Sequence, residues 1–253
     1  IALLDSADRI EPLEQEAVGL YSAGARVGMV MGLLVAAFRF AWQPYFLATS
    51  REKEAKKIFS RILTYMVAAC LTLFLLMSLF IDELLRLRVG GYSFFGEPFW
   101  ASARVVPPIM LASLFYALYL VFEAALYLEK KSGLIALVTI AGLGVSLAFN
   151  LLLIPQWGPL GSAWARVIAY ACMALGLFVF AQRCYPVPWE WSRLLQLCLS
   201  AALIYALGKL PLLHPPVAVR LALFAAWPLL LAAAGFFRGE EREIIRGFFR
   251  KIM

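Results

Sequence analysis

The stretch "IFSRILTYMVAACLTLFLLMSLFI", residues 58–81, decides the fold class of this chain. It is almost entirely apolar, and Arg61 near its start is its only charged residue. An α-helix needs about 20 mostly apolar residues to cross the hydrocarbon core of a bilayer. Residues 58–81 meet that length, so the stretch predicts a transmembrane helix.

The composition of the whole chain extends this prediction beyond one helix. Of the 253 residues, 63% are hydrophobic and only 15% are charged, whereas soluble domains are about half apolar and a quarter charged. We therefore expect an integral membrane protein with several spans. The net charge is +7, but the basic residues are not interleaved with aromatic ones as in nucleic-acid-binding folds. A nucleic-acid partner is therefore not expected.

Seven segments are long and apolar enough to span the membrane: roughly 17–48, 58–81, 101–128, 132–154, 160–182, 192–210 and 217–237. The longest connection, about 82–100, is too short for a folded soluble domain. These features predict an all-α fold, a polytopic membrane helical bundle of about seven transmembrane helices over residues 1–237. A basic amphipathic tail follows at 238–253. The opening residues "IALL" resemble the end of an apolar segment, so we expect the C-terminal part of a longer protein.

The distribution of basic residues predicts the orientation of the bundle. If the spans alternate strictly in direction, every second loop lies on the same side of the membrane. The loops and tail on one side then carry fourteen Lys and Arg residues, and the loops on the other side carry five. Short cytoplasmic loops carry the excess of Lys and Arg. The basic side is therefore predicted to be cytoplasmic, with the C-terminus on that side and anionic membrane lipids beside it.

Catalytic and metal-binding constellations are missing from the sequence. The four cysteines form no CxxC pair, and His214 is the only histidine. The sequence shows no nucleophile–base pair and no glycine-rich phosphate loop. We therefore expect a protein that is not an enzyme and has no metal or other cofactor, with coupling to Na⁺ or H⁺ left open.

Polar residues inside the first span form a helical stripe. Gly24, Gly28 and Gly32 repeat every four residues, and the same stripe continues through Ala36, Arg39 and Gln43. Small residues allow close helix approach, so the outer part predicts a packing seam. Charged side chains within spans usually face a bundle interior or a wet cavity. Arg39 and Gln43 are thus candidate cavity residues. The alternative for Arg39 is that its side chain snorkels to the membrane interface. Pro44 is a candidate site for a helix bend.

A second polar stripe lies on the third span. Tyr116, Tyr119, Glu123 and Tyr127 fall at spacings of three and four, which places them on one helix face. Such a face suits sugar stacking or a proton- or sodium-binding carboxylate, and an interfacial aromatic belt explains Tyr127 equally well. Pro107 and Pro108 are predicted to break or bend the outer part of this helix.

The remaining spans add fewer polar candidates. Thr139, Gly142, Ser146 and Asn150 share a face of the fourth span, which indicates either helix packing or, for Asn150, substrate contact. Arg166 lies near the outer end of the fifth span. Arg26 is another intramembrane arginine, for which outward snorkelling is an equal alternative. Pro228 predicts a bend in the last span.

Three stretches together resemble the C-terminal half of a polysaccharide flippase. They are "ADRIEPLEQEAVGLYSAGARVGMVMGLLVAAFRFAWQPYFL", "YLEKKSG" and "FNLLLIPQWGPLGSAWARVIAY". In this order and spacing they are similar to the Wzx-type O-antigen translocases of the multidrug/oligosaccharidyl-lipid/polysaccharide exporter superfamily, which is MATE-like. The resemblance covers about residues 1–210.

The resemblance implies one lobe of a two-lobe transporter in the bacterial inner membrane, with the N-terminal lobe as its partner. The implied activity is the flipping of an undecaprenyl-diphosphate-linked oligosaccharide by alternating access. Arg39 would meet the diphosphate near the cytoplasmic mouth and Arg166 near the outer side. Gln43, Asn150 and the tyrosines would contact the glycan, and Pro44 would set the bend at the mouth.

Other functions share parts of this pattern. A flippase for a peptidoglycan precursor (lipid II) and a cation-coupled multidrug exporter have the same fold, although an exporter of organic cations should prefer acidic cavity residues. A membrane-embedded glycan polymerase or ligase usually has a large outer loop, and the loops here are short. A structural membrane protein without transport activity would not need ionisable groups in its interior.

Overall fold

The structure is a computed structural model that describes the backbone of residues 2–86, 88–89, 92–93, 96–209 and 216–236. Side chains are described for residues 19, 21–86, 96, 100–209 and 216–236. The helices are α1 Ala2–Thr49, α2 Ala55–Leu85, α3 Val106–Leu128, α4 Ser132–Trp157, α5 Pro159–Cys184, α6 Trp191–Lys209 and α7 Val217–Ala233. Between α2 and α3 lie two short antiparallel strands, β1 Arg88–Val89 and β2 Tyr92–Ser93, and a 3₁₀ helix, Glu97–Arg104.

Six of these helical segments are long and apolar enough to cross a membrane: Tyr21–Thr49, Ala55–Leu85, Trp100–Leu128, Ser132–Trp157, Pro159–Cys184 and Trp191–Lys209. The chain is thus a polytopic, membrane-embedded helical bundle. The predicted seventh span corresponds to α7, an apolar helix of 17 residues. It is at the lower limit of the length that a straight helix needs to cross the hydrocarbon core.

The first helix is longer than the predicted span. The first span was predicted to begin at about residue 17, but α1 is one helix from Ala2 to Thr49. A helix of 48 residues is about 70 Å long, more than twice the thickness of the hydrocarbon core. Its first half is rich in Leu, Glu and Ala, which are good helix formers. Pro44 lies inside the helix and does not end it.

The predicted third span, 101–128, consists of two elements. The 3₁₀ helix ends at Arg104 and α3 begins at Val106. Pro107 and Pro108 lie in the first turn of α3, where the backbone N–H that proline lacks has no intrahelical acceptor. The prolines thus start a helix here. Pro228 lies inside α7, as Pro155 does inside α4.

The chain divides into two compact units, Ile1–Trp189 and Glu190–Met253. In the first unit α3 is the central helix, because it packs against α1, α2 and α5 and also contacts α4. α4 packs mainly against α5. Most of α3 is buried, whereas α4 keeps a broad apolar face exposed that includes Leu137, Ile140, Leu143 and Leu151. The sequence instead predicted one transmembrane bundle over residues 1–237 followed by a tail at 238–253. That tail lies outside the described residues.

The predicted glycine seam is found only at Gly24 and Gly28 of α1. A Cβ atom at Gly28 would lie 2.6 Å from Cγ2 of Ile109, and one at Gly24 would lie 3.3 Å from the carbonyl oxygen of Ser102. Gly32 has no such neighbour within 4 Å, and Ala36 is exposed. α1 therefore lies close to the 3₁₀ helix at Gly24 and to α3 at Gly28, and it separates from α3 toward Gly32.

This asymmetry gives a test of the α1–α3 contact. We expect Gly28→Leu to destabilise the purified protein by about 2 kcal/mol, because the added atoms overlap Ile109 in a packed seam. Gly32→Leu is the matched control, with the same change on the same helix but open space around it, and should change stability little. The thermal midpoint in detergent measures both variants. Equal losses for the two variants would contradict the described seam.

The end of the first unit where α2 and α4 begin is called the basic end. Its cations include Arg51, Lys53, Lys56, Lys57, Arg61, Lys130, Lys131 and Arg183. The Lys56 ammonium lies 4.7 Å from the centre of the Tyr185 ring. Burial, with the nearby Glu129 carboxylate, raises the pKa of the Tyr185 hydroxyl.

The segment after α5 folds back onto the basic end. Gln182 Oε1 accepts a hydrogen bond of 2.9 Å from Trp189 Nε1, and its Nε2 donates to the carbonyl oxygen of Val187 over 3.1 Å. Ser60 of α2 donates to the carbonyl oxygen of Pro188 over 2.8 Å. These bonds attach the segment to both α2 and α5.

In the second unit α6 packs against α7. Trp227 Nε1 donates to Ser200 Oγ over 3.0 Å, and Gln196 Nε2 donates to the carbonyl oxygen of Ala234 over 3.1 Å. α7 ends in a turn with Gly235 at φ 76°, a conformation in which glycine avoids the Cβ strain of other residues.

Candidate functional site

Arg39 of α1 meets the tyrosine stripe of α3. Its Nη1 donates a hydrogen bond of 3.2 Å to the hydroxyl oxygen of Tyr116. The side chain of Arg39 is exposed, while that of Tyr116 is half-buried. A guanidinium has five N–H donors, and the bond to Tyr116 uses one of them. An exposed guanidinium held by a neutral hydroxyl is well placed to bind an anion.

Two further helices contribute to the same cluster. The ring of Tyr116 stacks on that of Tyr119 with 5.9 Å between their centres, and it contacts the ring of Tyr170 on α5 at 5.2 Å. The hydroxyl of Tyr119 shares a hydrogen bond of 3.1 Å with Thr139 Oγ1 on α4. Side chains of α1, α3, α4 and α5 thus meet at one stacked pair of tyrosines.

Glu123 adds a carboxyl group to this cluster. It is half-buried, and it accepts a hydrogen bond from the hydroxyl of Tyr127. The positive charge of Arg39 acts on both Glu123 and Tyr127. The tyrosine stripe predicted for the third span therefore meets α1 at Arg39, α5 at Tyr170 and α4 at Thr139, and its carboxyl group lies within the electrostatic influence of Arg39.

The cluster extends from the middle of the helices toward the basic end. With a rise of about 1.5 Å per residue, Tyr116 lies about 18 Å and Glu123 about 8 Å before the end of α3 at Leu128. Arg39 lies about 15 Å before the end of α1 at Thr49. In a hydrocarbon core about 30 Å thick, these positions range from the centre to one interface.

The other predicted site residues lie around the cluster or away from it. Gln43 is exposed one turn beyond Arg39, and Pro44 next to it is exposed as well. Arg166 is exposed on α5, one turn before Tyr170. Asn150 hydrogen-bonds within its own helix, because its Nδ2 donates to the carbonyl oxygen of Ser146 over 2.7 Å. Asn150 has therefore no described link to the tyrosines.

Sequence reasoning missed Tyr170 and the role of Thr139. Tyr170 lies four residues after Arg166, and this helical spacing could have pointed to it. Thr139 was grouped with a packing stripe, and Gly142 of that stripe does pack against Met173 of α5. The bond from Thr139 to Tyr119 depends on the arrangement of α3 and α4, so the spacing within α4 alone could not reveal it.

This arrangement can bind and orient charged and hydroxylated groups. Among the residues whose side chains are described, no group of three His, Cys, Asp or Glu side chains is placed to hold a metal ion. The cluster offers a fixed cation, a carboxyl group, several hydroxyls and aromatic faces at the depth of the hydrocarbon core.

Comparison with known proteins assigns no family to the chain. No protein-family model matches its sequence, and no curated protein matches it either. The site therefore has to be interpreted from its own chemistry.

Proposed function

We propose that this chain is part of a flippase that moves an undecaprenyl-diphosphate-linked oligosaccharide across the bacterial inner membrane for surface polysaccharide synthesis, as in O-antigen export. The basic end would face the cytoplasm, with the C-terminus on that side, because cytoplasmic loops carry the excess of Lys and Arg. The proposal rests on the site and on the sequence resemblance, since the chain matches no characterised family.

The observation that carries the proposal is the contact of Arg39 with Tyr116 beside Glu123. An arginine at this depth is costly in hydrocarbon, and such residues usually face water-filled passages or other protein groups. A diphosphate headgroup is anionic and needs compensating charge to cross the membrane. A guanidinium presents paired donors that match phosphate oxygens.

The tyrosines would serve the sugar part of the substrate. Aromatic faces present large, rigid contact areas, and tyrosine hydroxyls provide hydrogen bonds at their edge. Tyr116 and Tyr170 offer both from two helices, whereas Tyr119 is buried and its hydroxyl is bonded to Thr139. Gln43 is exposed next to Arg39 on the side toward the basic end, where it would meet the glycan near the mouth.

Transport would proceed by alternating access between this lobe and an N-terminal lobe. The diphosphate would bind to Arg39 from the cytoplasmic side and pass along Tyr116 and Tyr170 toward Arg166. Movement of lobes around a central binding site is the usual device of such transporters. It requires no covalent step and no cofactor.

A specific observation favours a second candidate, a cation-coupled exporter. Glu123 is a half-buried carboxyl group within the spans, and such groups bind protons or Na⁺ in transporters. The exposed Arg39 beside it argues against an organic cation as the substrate, because the two positive charges would repel each other. A lipid II flippase would use the same diphosphate chemistry, and it differs in its glycan.

Deletion of the gene that encodes this chain distinguishes these functions. We expect loss of surface polysaccharide and accumulation of its lipid-linked precursor on the cytoplasmic side, with normal cell-wall growth. Surface labelling of glycan and extraction of lipid-linked oligosaccharide measure both effects. A block in peptidoglycan synthesis would instead indicate lipid II, and drug sensitivity with intact surface glycan would indicate an exporter.

A further inference from the structure

α2 carries a cationic site on the face that points away from the rest of its unit. Its buried residues, which include Phe59, Leu63, Met66 and Leu75, form the side that packs against α3 and α1. The opposite side is exposed and consists of Tyr65, Ala69, Thr72 and Leu76. This mostly apolar stripe extends about 16 Å along α2, and at the basic end it continues into Arg61 and Lys57.

The two cations are arranged differently. Lys57 is exposed, and it pairs over 2.8 Å with Glu54, a surface contact of small energetic value. Arg61 is one turn deeper, about 9 Å from the start of α2 at Ala55. Its Nε is buried and has no hydrogen-bond partner among the described residues. The stem of Arg61 is therefore packed against the protein, and the residue as a whole stays partly exposed.

The buried stem fixes the position of Arg61, and the partly exposed residue presents a cation near the start of α2, where we expect the edge of the hydrocarbon core. Phosphodiester oxygens at that depth would neutralise Arg61, and the acyl chains of the same molecule would cover the apolar stripe. Clusters of Lys and Arg next to a transmembrane helix attract anionic headgroups. We propose that Arg61 and Lys57, with the stripe of Tyr65, Ala69 and Leu76, form a binding site for an anionic phospholipid.

This lipid site is separate from the candidate transport site. Arg39 and Tyr116 lie on α1 and α3, whereas the proposed lipid lies on the side of α2 directed away from those helices. The inference therefore does not depend on the proposed transport activity. It assigns to the protein a partner that would be present in the membrane throughout any transport cycle.

Lipid binding is tested with the full chain purified in an uncharged detergent. Phosphatidylglycerol and phosphatidylcholine with identical acyl chains are titrated, and bound lipid is counted by native mass spectrometry. We expect phosphatidylglycerol to bind in preference, and Arg61→Gln to weaken its binding roughly fivefold. Phosphatidylcholine binding should not change.

Lys53→Gln is the matched control, because it removes one exposed positive charge at the same end but off the stripe. In the same native mass spectrometry titration, Lys53→Gln should weaken phosphatidylglycerol binding by roughly less than twofold, because a distant exposed charge is largely screened. Equal losses in Arg61→Gln and Lys53→Gln, or no loss in Arg61→Gln, would overturn the proposal. If inorganic phosphate at millimolar concentration displaced phosphatidylglycerol, the site would bind simple anions, and the lipid-site proposal would be overturned. If Arg61→Gln fails to fold, Lys57→Gln takes its place with the same expected direction.

Discussion

Replacing Arg39 with alanine is expected to reduce surface-glycan export by roughly 10- to 100-fold, the loss that follows when a hydrogen bond to a charged group is removed. The guanidinium is exposed and is held by Tyr116 in a cluster that also contains Glu123. Without it, the diphosphate would enter the hydrocarbon core with no compensating charge. The measurement is surface-labelled glycan in a complemented deletion strain, at equal amounts of membrane-inserted protein.

Two variants separate charge from general damage. Arg39→Lys keeps the charge but loses the fork that matches phosphate oxygens, so its activity should lie between wild type and alanine. Arg26→Ala removes the other intramembrane arginine of α1, which is exposed and has no described contact with the tyrosine cluster. It should export normally. Full export by Arg39→Ala at normal protein level would remove Arg39 from the mechanism.

The positions of the helices could be predicted from the sequence because apolar length and hydrocarbon thickness are directly related. The predicted spans 132–154 and 160–182 differ from α4 and α5 by only a few residues. The start of α1 was not predicted, because hydropathy does not report a helix that continues beyond the hydrocarbon core. The break before Val106 could be predicted from Pro107 and Pro108, because proline prefers the first turn of a helix, although hydropathy alone gives one continuous span.

The candidate site could be predicted only in part. The stripe of Tyr116, Tyr119 and Glu123 follows from helical spacing within α3, and it does form one face. Which helix lies opposite that face is a property of tertiary packing, so the contacts of Arg39 and Thr139 required the structure. The glycine stripe shows the same limit. Gly24 contacts the 3₁₀ helix and Gly28 contacts α3, but Gly32 contacts neither, because the helices separate along their length.

The turn between α4 and α5 is the place where a single methyl group should cause the largest structural loss. A Cβ atom at Gly161 would overlap the carbonyl group of Leu153, with its carbon 2.5 Å away, and would lie 3.0 Å from the backbone nitrogen of Ile154. These atoms are backbone atoms, which cannot rotate aside as a side chain can. We expect Gly161→Ala to cost about 3 kcal/mol and to lower the thermal midpoint by roughly 5–10 °C.

Gly144→Ala is the matched control for this prediction. Gly144 lies inside α4 with open space around it, and alanine in a helix interior is favoured over glycine by about 0.5–1 kcal/mol. Its thermal midpoint in detergent should stay the same or rise. The opposite signs of the two glycine-to-alanine changes identify the cause as contact between α4 and α5, because intrinsic helix propensity favours alanine at both positions. If Gly161→Ala were as stable as Gly144→Ala, the backbones of the two helices would have to lie farther apart than the structure places them.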